Sequence, residues 1–123
     1  MSELTTQNIK MVRGASKAWK ILVPGGENNG CRILDTGEKL VFGVVQNPDS
    51  ESYLIKKILT SADYDAESDR YILKLDPADT ENLGFLKYHY DVWLVSGGEK
   101  IPIIGYSSFE VTSNAVSSNR GLE

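Results

Sequence analysis

Histidine and cysteine are almost missing from this chain: its 123 residues hold one of each, His89 and Cys31. A single cysteine cannot close an internal disulfide, so the fold must rest on its core. One cysteine and one histidine are also too few soft ligands for a zinc site. No apolar run is long enough to span a membrane. The N-terminus, MSELTTQNIK, lacks the basic-then-apolar layout of a signal peptide, which predicts synthesis in the cytoplasm without export by that route. Basic charge is in deficit, with 13 Lys and Arg against 17 Asp and Glu and a net charge of −4. That balance argues against a nucleic-acid surface, which is normally basic. No phosphate-loop lysine or GxGxxG pattern follows Gly25-Gly26 or Gly97-Gly98, so both glycine pairs read as turns. A long helical period is missing as well.

What is present is alternation. The apolar fraction of 41% and charged fraction of 24% are those of an ordinary globular domain, and the length suits one core. The stretch from Tyr71 to Val95 organises the rest. Tyr71, Leu73 and Leu75 alternate with Ile72 and Lys74, and turn chemistry at Asp76, Pro77, Asp79 and Gly84 then interrupts the pattern. After the break, Leu86, Tyr88, Tyr90, Val92 and Leu94 fall on one face, with Lys87, His89 and Asp91 on the other. This reads as a hairpin-like unit of strand, turn and strand, with one helical turn over Pro77 to Leu83.

The flanking segments read the same way. Ile9 to Arg13 is a short strand ended by Gly14, and Trp19, Ile21 and Val23 mark another, stopped by Pro24. Residues 25–30 form a surface loop, and Cys31 to Leu34 is a candidate short strand. Leu40 to Val45 is apolar on both faces, which predicts a central strand, with Gly43 marking a bulge or a close approach. Tyr53 to Thr60, with Lys56-Lys57, predicts a less buried strand. Ser96-Gly97-Gly98-Glu99 is a tight hairpin turn. The returning strand from Ile101 to Val111 carries Pro102 and Gly105, which predict an edge or a bulge. The expectation is an all-β, two-layer antiparallel sandwich of about seven or eight strands over residues 9–112. Residues 1–8 read as a loosely ordered N-terminus. Residues 113–123 read as a disordered Ser/Asn-rich tail, and Leu122-Glu123 look like a vector junction.

Few residues offer chemistry. His89 lies beside Lys87 and Asp91, a setting that reads as a solvated strand face. Asp63, Asp65, Glu67 and Asp69 recur at alternate positions, but they lack the central glycine and distal glutamate of a calcium loop, so no calcium requirement is expected. Cys31 has no base or helix start beside it and reads as a small buried residue. Trp93 has the parity of the polar face, where a tryptophan either stacks on a sugar or is covered by protein.

The run KLDPADTENLGFLKYHYDVWLVSGGEKIPIIGYSSFEVT resembles a module of bacteriophage and prophage structural proteins, the N-terminal domain of baseplate upper proteins. The resemblance lies in Leu75, Pro77, Asp79, Thr80, Asn82 and Leu83, then Tyr88, Tyr90, Asp91, Val92 and Leu94, then Ser107, Phe109, Val111 and Thr112. It implies an immunoglobulin-like sandwich, a role in virion assembly or attachment, and no catalytic residues or cofactor. Its partners would be other tail or baseplate proteins, further domains of the same polypeptide or further copies of the chain, with neither nucleic acid nor membrane insertion. A tyrosine hydroxyl, from Tyr88 or Tyr90, is expected to bond back to Asp76–Asp79, as in the corner of such sandwiches. The expected contact surface is the proline-bearing strand, through Ile101, Pro102, Ile103, Gly105 and Tyr106. The alternative is a carbohydrate-binding sandwich with Trp93 as its stacking platform.

Overall fold

The computed structural model describes residues 2–113, so the expected tail, Leu122-Glu123 included, lies outside the described residues apart from Ser113. Among the described residues, nine strands form two sheets. One is β1 (Ser2–Glu3), β3 (Lys17–Ile21), β7 (Arg70–Leu75) and β6 (Tyr64–Asp65), in that spatial order. The other is β2 (Ile9–Val12), β9 (Glu99–Thr112), β8 (Lys87–Ser96), β4 (Lys39–Val45) and β5 (Ile55–Leu59). The all-β sandwich expected from the alternation is the observed architecture.

Its core is the expected one. Leu73 and Leu75 of one layer meet Phe42, Tyr88, Tyr90, Val92 and Phe109 of the other in a single buried cluster that also takes in Trp19, Ile21 and Tyr71. Phe42 and Tyr90 pack with ring centroids 5.8 Å apart, and Tyr90 meets Phe109 edge-to-face at 6.4 Å. Each fully buried side chain of this size contributes about 1.5–3 kcal/mol, so this interleaving of two alternating faces carries the fold. β4 is central, between β8 and β5, and buried on both faces as its composition predicts. Gly43 marks a close approach: a Cβ there would fall 2.1 Å from the Tyr53 ring. The β8–β9 turn has Gly97 at φ 55° and Gly98 at φ 87°, positive values that a two-residue hairpin requires and glycine adopts freely.

Four expectations are corrected. The sheets are mixed rather than antiparallel, because β1 runs parallel to β3 and β2 parallel to β9. The organising unit is a crossover between layers, not a hairpin, since β7 and β8 belong to different sheets. The segment between them starts with α1 (Pro77–Thr80), where the Asp79 carboxylate accepts the Asp76 N–H at 2.7 Å and the buried Thr80 hydroxyl accepts the Gly14 N–H at 2.9 Å. Residues 31–34 form no strand. Cys31 and Leu34 are buried there as expected of apolar side chains, while the Tyr71 hydroxyl accepts the Leu34 N–H and donates to the Arg32 carbonyl.

The fourth correction concerns the N-terminus, which is strapped down rather than loose. β1 closes one edge of the first sheet and β2 one edge of the second, so residues 2–12 clasp both layers. Leu4 is buried and its N–H donates to the Lys20 carbonyl. Between the two strands, the Tyr90 hydroxyl reaches the carbonyls of Thr5 at 3.0 Å and Gln7 at 2.7 Å. The segment is held by backbone pairing, which its polar side chains do not advertise.

Candidate functional site

The expected corner is built differently from its prediction. Tyr88 donates its hydroxyl back to the Gly84 carbonyl at 3.1 Å, and Tyr90 donates to the N-terminal strap. Neither reaches Asp76–Asp79. The helical turn already satisfies those groups locally, and Asp79 also pairs with Lys57 at 3.0 Å. The acidic loop is likewise engaged internally. Asp63 caps the Thr60 N–H, Asp65 accepts from the Ser68 hydroxyl, and Asp69 accepts from the Tyr64 hydroxyl and the Cys31 N–H. These bonds hold the Asp69 carboxyl below its usual value, the tyrosine contact most of all, and the same contact pushes the Tyr64 hydroxyl up to about 12. Among the described residues, no group of three or more His, Cys, Asp or Glu side chains could hold a metal ion. Burial pushes the Cys31 thiol up, which fits its packing between the Val23 N–H and the core.

The unexplained part of the molecule is the outer face of the five-stranded sheet. Alternation sends Lys87, His89, Asp91, Trp93 and Val95 of β8 outward, and the registers decide what stands beside each. Ile58 of β5 faces Val41 of β4, Val41 faces Trp93 of β8, and Trp93 faces Pro102 of β9. Directly opposed residues share a face, so Ile58, Val41, Trp93 and Pro102 form one apolar row across four strands. At about 4.8 Å between strands the row is roughly 14 Å long. Val41 is nearly covered and Trp93 is half-buried, but Ile58 stays 47% exposed. The Tyr53 ring flanks the row, lying against Gly43 with 44% of its surface exposed.

A shallow depression of about 360 Å³ surrounds Trp93, walled by Val41 and Tyr53 and by the side chains of Lys39, Lys56 and Lys100. On the far side of Tyr53 a second depression, of about 300 Å³, is lined by Tyr106, Asp91, Glu51, Ser50 and Ser52. Tyr106 stacks on His89 at 4.7 Å with the rings 16° from parallel. Partial loss of hydration, aided by the carboxylates of Asp91 and Asp49, pushes the Tyr106 hydroxyl up although the ring stays exposed. His89 is therefore engaged by an aromatic ring.

The structure divides the expected contact strand. Between Tyr90 and Trp93 its register against β8 shifts twice, placing bulges around Gly105-Tyr106 and Ile103. Pro102 and the exposed Tyr106 lie on the outer face, whereas Ile103 packs against the core. Gly105 is exposed but donates its N–H to the Thr6 hydroxyl at 3.2 Å. Ile101 is 39% exposed, opposite the buried Leu94. β2 pairs only with Phe109–Thr112, so among the described residues no strand pairs with Glu99–Ser108 on the side away from β8. The apolar row thus ends at an open sheet edge. Sequence reasoning picked out Trp93 and Pro102 separately and missed Val41, Ile58 and Tyr53. Parity along one strand carries no information about which residues of other strands share its row.

No protein-family model matches the chain, and no curated protein does. Among solved structures, the chain is similar to the N-terminal domain of phage TP901-1 ORF48, at 12% identity over 90% of this chain and 98% of that one, with a TM-score of 0.38.

Proposed function

We propose that this chain is a non-enzymatic structural module of a phage or prophage tail or baseplate, made in the bacterial cytoplasm and incorporated in the virion. It works by docking another tail or baseplate protein, a further domain or a further copy of itself. The observation that carries the reading is the apolar row Ile58–Val41–Trp93–Pro102 running to the open edge of β9. Exposed apolar rows and unpaired strand edges are the surfaces that partner proteins cover. The phage assignment rests on the sequence motif. Its residues are occupied by the fold: Pro77 opens the helical turn, Asp79 caps it, Thr80 ties it to Gly14, and Tyr88 bonds back to Gly84. The last contact is the kind found at the corner of immunoglobulin-like sandwiches and supports that finer description.

A second reading, carbohydrate binding, is favoured by the second depression, where Tyr53 and Tyr106 stand beside Asp91, Ser50 and Ser52. Aromatic faces with nearby hydroxyls and carboxylates suit a neutral sugar. Co-expression with the proteins encoded on either side of its gene separates the two. The assembly reading expects a defined complex that is lost in the double variant Ile58→Ser/Trp93→Ser. It is overturned if no such complex forms while a glycan array shows specific binding that Tyr106→Ala abolishes.

A further inference from the structure

The apolar row has lysines on both flanks, and one carboxylate, Asp91, stands opposite Gly43 on the Lys56 side. Two residues along the strands on one side of it, the register places Lys39, Val95 and Lys100 side by side. Two residues along on the other side it places Lys56 opposite Gly43. Lysines therefore flank the row on both sides, each roughly 7 Å away along the strands. The depression around Trp93 contains three lysines and no carboxylate, in a chain whose net charge is −4. The cationic surplus is local to this depression, since Asp91 and Glu110 stand elsewhere on the same face.

That pattern selects a ligand. Lysine ammonium groups and the Trp93 indole N–H only donate hydrogen bonds, and the Tyr53 hydroxyl is the one side-chain acceptor in the lining. A neutral sugar, whose hydroxyls need acceptors as well as donors, is poorly served here. Trp93 and Tyr53 present rings, but Val41, Ile58 and Pro102, which continue the row, offer none for a sugar to stack on. An apolar ridge edged by carboxylates is the complement. An amphipathic helix is about 10–12 Å across with its side chains, which matches the roughly 14 Å separating the two lysine flanks.

We infer that the outer face of the five-stranded sheet takes an amphipathic segment of a partner protein whose apolar stripe is bordered by Asp or Glu on the side of Lys39 and Lys100, with a further carboxylate placed for Lys56 on the other. The stripe seats on Ile58, Val41, Trp93 and Pro102, and the carboxylates meet Lys39 and Lys100 on one flank and Lys56 on the other. This rests on the assembly reading and names the chemistry of the partner.

The test is an NMR titration of the isotope-labelled full chain, read at the Trp93 indole N–H. A Trp93→Phe variant distinguishes that signal from the one of buried Trp19. The probes are a synthetic amphipathic peptide with a leucine stripe bordered by glutamates, the same peptide with lysines for glutamates, and polygalacturonate. The glutamate peptide is expected to move the Trp93 signal saturably and the lysine peptide to leave it in place. Raising salt from about 50 to 500 mM is expected to weaken binding about three-fold or more, because exposed charge pairs are screened. The triple variant Lys39→Gln/Lys56→Gln/Lys100→Gln is expected to weaken it about ten-fold, the scale of three exposed ion pairs, with its spectrum otherwise that of a folded chain. The inference is overturned if no glutamate peptide binds, if salt and the triple variant change nothing, or if polygalacturonate alone moves the Trp93 signal. If a tail-protein complex forms and the triple variant keeps it intact, this inference fails while the assembly reading stands. If no complex forms with any encoded neighbour, the assembly reading itself fails.

Discussion

The two faces of the five-stranded sheet are built from the same strands and differ in what finishes them. On the inner face, Phe42, Val44, Tyr90, Val92 and Phe109 are fully buried against the second layer. On the outer face, Val41, Trp93, Ile58 and Pro102 form an apolar row with no second layer above it among the described residues. The inner face accounts for the fold. Val41 is covered by its neighbours, but Ile58, Trp93 and Pro102 keep apolar surface where alternation alone would have placed polar side chains.

The largest expected contrast comes from truncating the inner face. Phe42→Ala removes a fully buried ring and is expected to cost about 3–5 kcal/mol in denaturant unfolding. A loss under 1 kcal/mol would mean that the layers are not packed through Phe42.

Next come the polar anchors within the core. Tyr71→Phe strips both the Leu34 N–H and the Arg32 carbonyl of their partner, at an expected cost of about 1–3 kcal/mol. Tyr90→Phe is expected to cost about 1 kcal/mol and to speed amide exchange in residues 2–8, because its hydroxyl holds the strap. Tyr106→Phe on the outer face serves as the control, and its unfolding midpoint is expected to stay within error of the parent.

Acid gives a third contrast. The Glu38 carboxylate accepts from the Asp35 N–H, the Ser96 hydroxyl and the Arg32 guanidinium, and these bonds hold its carboxyl below the ordinary 4.5. Asp69 is held below 3.8 by Tyr64 and Cys31. Folding favours the ionised form of each, so the stabilisation is complete above pH 4.5 and drains away as pH falls through the lowered folded values. Melting temperature is expected to drop from just below pH 4.5 downward, and less steeply in Glu38→Gln, which has lost that carboxylate already. Parallel curves for parent and variant would remove Glu38 from the account.

The smallest effect is expected at Gly43→Ala. The new methyl group would fall 2.1 Å from the Tyr53 ring, so the ring, 44% exposed, has to turn outward into solvent to make room. The expected cost is about 1 kcal/mol or less. A loss several times larger would show that Tyr53 is locked over the sheet.

The inner face was legible because period-two alternation at Tyr88, Tyr90, Val92 and Leu94 leaves few ways to bury those residues. The buried character of β4 and the close approach at Gly43 were legible for the same local reasons. Three features were not. The parallel pairing of β1 and β2 uses backbone groups that every residue carries, so the polar run before Ile9 gave no sign of it. The Tyr90 acceptor lies more than 80 residues away in the chain, beyond any motif. The apolar row is a property of register among four strands. Trp93 hinted at it, but Ile58 and Val41 gained meaning only once the pairing was known.

The central claim is that one face of this sheet holds the fold and the other awaits a partner. The direct measurement is equilibrium unfolding of Ile58→Ser/Trp93→Ser set beside capture, by parent and variant, of the proteins encoded on either side of its gene. The account predicts a stability loss of about 2 kcal/mol or less, since neither side chain is fully buried, together with loss of capture. Unfolding as severe as that of Phe42→Ala, or capture at the parent level, would contradict it.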